Sequence, residues 1–132
     1  MERAIAGLTD PQARLGAAIR AFVRAMRERD ADIRLIHQET HALGRESRRA
    51  VLAQTDAFIR LFADLVEAAR RDGLPINGAL RLAADIVTFL PAMLSLRRWR
   101  LRAIADGPDG EAELVAFLLR GLGYPEETAH GA

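Results

Sequence analysis

Residues 80–96 read LRLAADIVTFLPAMLSL, a stretch in which only Arg81 and Asp85 carry charge. A helix of this composition has no polar side to offer to water, so it must be covered on more than one face. It is also shorter than the roughly 20 residues needed to cross a bilayer. What remains is a multi-helix protein in which this segment is central or is covered by a partner. Pro91 lies inside the segment, where it removes a backbone donor. A kink is expected there, with the Val87 carbonyl left short of its bond.

Composition points the same way. Half of the 132 residues are hydrophobic but only 5% are aromatic, so the apolar mass is mainly Ala, Leu, Ile and Val. Ala and Leu are strong helix formers, which favours an all-α chain over a sheet. The length suits one domain with a real core. Cysteine is absent, which excludes disulfides, thiolate catalysis and Cys-ligated metals. The 19 basic residues nearly cancel the 18 acidic ones, so no global field draws the chain to nucleic acid or an anionic membrane. Every basic residue is Arg, a bias more simply explained by GC-rich coding than by phosphate recognition. No apolar run spans a membrane and no signal peptide opens the chain, so the cytoplasm is the default location.

Five helices are expected. Thr9-Asp10-Pro11 reads as a start, with a polar cap and a proline in the first turn. Leu15, Ile19, Phe22, Val23 and Met26 then recur at threes and fours up to Arg29. A shorter helix covers 30–43, with Asp30 or Asp32 as cap and Gly44 as stop. The longest runs from Glu46 to Arg71, with Val51, Leu52, Thr55, Phe58, Ile59, Phe62, Leu65, Val66 and Ala69 inward, and Gly73 and Pro75 close it. Asn77 caps the apolar fourth helix. DGPDG (106–110) is a loop, and the last helix, Glu111–Leu122, carries Leu114, Val115, Phe117, Leu118 and Leu119. Residues 124–132 are expected to fray, and 1–132 form a single domain.

The stretch RLIHQETHALG (34–44) holds His37 and His41. Four residues apart, they lie about 40° from each other on a helix and can share a face, as zinc ligands do. Zinc proteases place Glu directly after the first His, and here Gln38 stands there. Glu39 falls about 200° round the helix. Two ligands also fall short of a tight site, and only Asp85, Asp64 and Glu67 stand by as others. A polar pocket wall, a metal site and a plain surface position all remain open. The RRWRLR run (97–102) sets four Arg around Trp99. It could grip a polyanion, but cations also suit a helix C-terminus and can stack on a Trp of their own fold. Phe22, Phe58, Phe62 and Phe89 can line a ligand cavity or fill the core. Ser47 and Ser95 stand in no Gly-flanked elbow, and no Gly-rich phosphate loop occurs, so neither a hydrolase nor a nucleotide enzyme has support.

Read in order, LTDPQARLGAAIRAFVRAM, IRLIHQETHALGRESRRAVLAQTDAFIRLFADLVEAARRDG, LRLAADIVTFLPAMLSLRRW and GEAELVAFLLRGLG resemble the C-terminal ligand-binding and dimerisation domain of the tetracycline-repressor (TetR) family of transcriptional regulators. The matching features are Asp10-Pro11, Gln38-Glu39-Thr40, Arg71-Asp72-Gly73 and Leu118-Leu119-Arg120-Gly121-Leu122, spread over residues 5–124. The resemblance implies a non-enzymatic sensor with no cofactor and no bound metal. A small, mostly apolar effector would enter a cavity between the long helices, lined by His37, His41, Phe22, Phe58, Phe62, Phe89 and Met93. It also implies a homodimer in which the last two helices of each subunit form a four-helix interface through Val87, Leu90, Leu94, Leu114, Phe117 and Leu118. Family members begin with a helix-turn-helix DNA-binding domain, which these residues lack. Met1 falls where the family's connecting helix would already be under way, as in a truncated piece, a misplaced start or a headless form. A helical-bundle metalloprotein using His37 and His41 and a ligand-free dimeric adaptor are the competing readings.

Overall fold

The computed structural model describes residues 2–32, 35, 39, 44–76 and 78–130. Among them every regular element is a helix: α1 (Glu2–Ile5), α2 (Pro11–Glu28), α3 (Arg45–Arg71), α4 (Leu80–Leu96), α5 (Arg98–Ala105), α6 (Gly110–Gly121) and α7 (Glu126–His130). The all-α expectation holds. α2, α3 and α6 lie where periodicity places them, within one residue at each boundary compared, whereas α4 starts at Leu80 with Ala79 as its N-cap, later than a cap at Asn77 would start it. The short helices α1, α5 and α7 are additions. The helix expected over 30–43 falls largely outside the described residues, as do His37, His41 and Asn77.

Local chemistry explains where α2 begins. The Asp10 carboxylate accepts a hydrogen bond from the Ala13 amide at 2.9 Å, and Pro11 occupies the first turn, where its missing N–H costs nothing. α2 is the axle of the domain, packing against α1, α3, α4 and α6. Its Leu15, Ala18 and Ile19 are fully buried, with Phe22 and Val23 nearly so. α3 contributes Phe62, Leu65, Val66 and Ala69, α4 contributes Ala84 and Val87, and α6 contributes Val115, Ala116, Leu118 and Leu119. Each large apolar side chain removed from water here stabilises the fold by about 1.5–3 kcal/mol, before entropy is counted.

α3 and α6 end in the same way. At α3 the Leu74 amide donates to the Ala69 carbonyl and the Gly73 amide to that of Arg70, each at 3.0 Å. At α6 the Tyr124 amide donates to Leu119 and the Gly123 amide to Arg120, again at 3.0 Å. This pair of bonds satisfies carbonyls that a helix end leaves open, and it needs a left-handed residue at the turn. Gly123 supplies it with φ of 94°. A Cβ there would also lie 2.9 Å from the Pro75 ring.

One expectation is corrected. Residues 124–130 do not fray from the body: Tyr124 is buried, its hydroxyl donates to the Gln12 carbonyl at 2.6 Å, and α7 packs on α6. An aromatic ring placed directly after a Gly-capped helix end is drawn under the neighbouring helix. Pro91 lies inside α4, as expected, and the helix continues to Leu96. The irregular backbone comes later, at Arg97 (φ −111°, ψ 26°) and Leu101 (φ −104°, ψ 18°). A helical φ suits proline and only the bond to the Val87 carbonyl is lost, so burial of Pro91 can hold the helix through it.

Candidate functional site

Three of the expected ligand-lining residues come together. Phe22 from α2 meets Phe58 and Phe62, four apart on α3, with ring centroids 4.9, 5.4 and 5.2 Å apart for the pairs 22–58, 22–62 and 58–62. The edge-on 22–58 and 58–62 contacts set ring edges against ring faces, which adds to simple burial. The rings therefore touch one another where an open cavity was expected. Phe62 is fully buried, whereas Phe58 is half-buried and forms the outer edge of the cluster.

Phe89 does not join them. It is 58% exposed because α4 buries Ala84, Val87, Pro91 and Ser95, and a step of about 100° per residue puts position 89 on the far side. Leu82 at 60% and Ile86 at 44% exposure share that outer side, at the three-and-four spacing of a helix stripe. Met93 extends the stripe, half-buried. α4 thus has two apolar faces, as its sequence demands.

The expected dimer residues divide accordingly. Phe117 is 62% exposed on α6, and Leu90, Leu94 and Leu114 are half-buried. Val87 and Leu118, at 1% and 3%, lie in the subunit's own core and have no surface to give a second chain. Leu82 and Ile86, passed over in the sequence, are the better candidates. The sequence alone does not single them out: once the structure buries Val87, positions 82, 86 and 89 fall on the outward side.

A cavity of about 30 Å³, room for a water molecule, lies away from the rings. Val23, Arg27 and Asp30 line it with Pro91, Leu94 and Ser95 of α4, Arg98 of α5, and Glu111 and Leu114 of α6. Ion pairs crowd its rim. Arg98 Nη1 donates to Asp30 Oδ2 at 3.0 Å and Nη2 to Asp106 Oδ1. Arg27 Nη2 donates to the Gly107 carbonyl at 2.9 Å and Nη1 faces Glu111 at 3.6 Å, while Arg24 Nε reaches the same carboxylate at 3.3 Å. The RRWRLR run is therefore split in use: Arg98 is structural, and Trp99 stands 78% exposed.

Among the described residues no group of three or more His, Cys, Asp or Glu could hold a metal ion. Glu67 is paired with Arg71 at 2.8 Å, and Asp64 and Asp85 face solvent. Glu39, between the two undescribed histidines, is exposed. No helix of the described residues is long and apolar enough to cross a membrane.

No curated protein and no solved structure matches the chain. A family model does match, described as tetracyclin repressor-like, C-terminal domain, over residues 8–117. That span runs from Leu8, just ahead of the Asp10 cap, to the exposed Phe117 and takes in both faces of α4 and the whole aromatic cluster. The chain belongs to the tetracyclin repressor-like C-terminal domain family.

Proposed function

We propose that this chain is the effector-sensing and dimerisation part of a transcriptional regulator, pairing with a second copy through the outward faces of α4 and α6. Domains of this family are regulatory and not, in general, enzymes. The observation that carries the dimer is the second apolar face of α4. Leu82, Ile86 and Phe89 cover the side opposite the subunit's core, and a contiguous exposed apolar stripe of this kind marks an interaction surface. Phe117 adds a large group from α6, with Leu90, Leu94 and Leu114 at the edge. A stable pairing of this type buries upwards of about 1,000 Å² in total.

The effector is a small, mostly apolar molecule held near Phe22, Phe58 and Phe62, while Met93 goes with the outward stripe of α4. Phe58 is the ring that would yield, being the one already half-buried. His37 and His41 supply the polar contacts, since a neutral imidazole offers one donor and one acceptor. Binding favours one helix arrangement by its differential affinity, and a helix-turn-helix domain belonging to the full regulator responds in the cytoplasm. No cofactor or metal enters this scheme.

Sedimentation velocity tests the first half: a dimer at micromolar concentration is expected, and a monomer there would sink the reading. Thermal shift against a panel of small apolar molecules tests the second. A ligand at 100 times its dissociation constant should add about 2.7 kcal/mol of stability. His37→Ala and His41→Ala should each weaken that ligand by about 1 kcal/mol or more. Stoichiometric zinc in the purified protein, lost in either variant, would replace the effector reading with the metal one.

A further inference from the structure

We propose that Arg98 is a positioning residue for the dimer face, holding α6 in place relative to α4 across a gap that side-chain packing does not close. This rests on the reading of α4 and α6 as the paired surface. The two helices that carry the outward apolar groups have little direct contact with each other, and each packs on α2 instead. Where they approach, the 30 Å³ cavity separates Pro91, Leu94 and Ser95 of α4 from Glu111 and Leu114 of α6. The angle between the helices is therefore not fixed by interlocking side chains at that point.

Arg98 stands on the rim of the gap, and its two terminal nitrogens serve different elements. One donates to Asp30, just past the end of α2, and the other to Asp106, the C-cap residue of α5 that opens the turn into α6. A guanidinium can do this because its donors are set in a rigid planar fork, whereas an ammonium offers a single point charge. Among the ion pairs of the described residues, Arg98–Asp30 is the least exposed, with side chains 32% and 20% accessible. It is therefore the one solvent screens least. Arg27 reinforces the same turn through the Gly107 carbonyl and Glu111. Across a packed contact, losing one ion pair would be absorbed by neighbouring side chains. Across a gap the angle rests on Arg98, on Arg27 and on the packing that both helices share with α2, and a self-complementary surface made from two helices depends on that angle.

The test is the dimer dissociation constant, read by sedimentation across a concentration series. Arg98→Met keeps the apolar stem and removes the fork, and it should raise the dissociation constant by about tenfold or more. Ile19→Val loosens the fully buried core away from α4 and α6's outer faces, and should lower the melting temperature without moving the dissociation constant. Arg60→Met breaks an exposed pair with Asp56 on α3 and should move neither. A dissociation constant for Arg98→Met equal to the parent's would overturn the proposal, as would one that merely tracks melting temperature as Ile19→Val does. If Arg98→Met does not fold, Asp106→Asn loosens one arm and should show the same change on a smaller scale. Phe117→Arg in the same series separates the two readings. If that variant stays dimeric, the paired surface is wrong and the positioning role falls with it. If it is monomeric while Arg98→Met stays tight, only the positioning role falls.

Discussion

The two ends of α2 are held by different physics. At its N-terminal end the body is knit through the backbone: the caps of α3 and α6 close beside it, Tyr124 donates to the Gln12 carbonyl, the Gln12 side chain donates to the Asp72 carbonyl at 3.2 Å, and Gly123 lies against Pro75. At its C-terminal end, roughly 27 Å away for an 18-residue helix, side-chain charges surround a small cavity. Backbone bonds and buried rings tolerate little change. Partly exposed ion pairs cost little to rearrange. One end is built to stay fixed, and the other, built from replaceable contacts, is the freer of the two to move.

The largest loss should come from the knit end's core. Leu119→Ala removes a fully buried side chain whose carbonyl also receives the Tyr124 amide, and should cost about 2–5 kcal/mol by urea unfolding. A cost below about 1 kcal/mol would mean that the knit end is looser than its hydrogen bonds imply. Gly123→Ala should cost about 1–3 kcal/mol, since it forces a side chain into a left-handed conformation and against Pro75.

Tyr124→Phe sharpens the contrast further, with an expected cost of about 1 kcal/mol for the lost bond. Burial pushes the Tyr124 hydroxyl well above its ordinary value of 10.0, the nearby Arg20 charge opposing this only in part. The sign follows from proton counting. Above about pH 10 the unfolded chain releases this proton while the folded one retains it, so stability is full below pH 10 and falls as pH rises past it. Tyr124 is the only tyrosine, so its absorbance titration reads one group. An ordinary phenol titration in the folded protein would contradict its burial, and Tyr124→Phe should flatten the alkaline loss. The smallest effect belongs to the charged end: Glu111→Gln, at a carboxylate shared by the exposed Arg24 and the part-exposed Arg27, should cost only about 0.2–1 kcal/mol and less in high salt.

The sequence made the helices legible because their signals are local. The Asp10-Pro11 start, the Gly73 stop and the stripe through Leu15, Ile19 and Phe22 each follow from one turn of chain. The inward face of α4 was not legible in the same way. A helix that is apolar all round gives no preferred side, so Phe89 was expected inward, and Val87 and Leu118 were expected at a surface they do not reach. Only the packing of α4 on α2 and α3 breaks that tie. The α3 stripe was read too far towards its start, since Leu52 is 57% exposed and Thr55 faces solvent. Apolar spacing says which residues share a side, not how far the neighbouring helix extends along it. The histidines fall outside the described residues, so their part in the site remains a proposal.

The bond between Tyr124 and Gln12 joins residues 112 positions apart. It brings the start of α2 and the entry to α7 to one pole of the molecule. A dye attached near residue 125 would therefore sit close to one attached near residue 10, and energy transfer between the two would track that junction without touching the charged end.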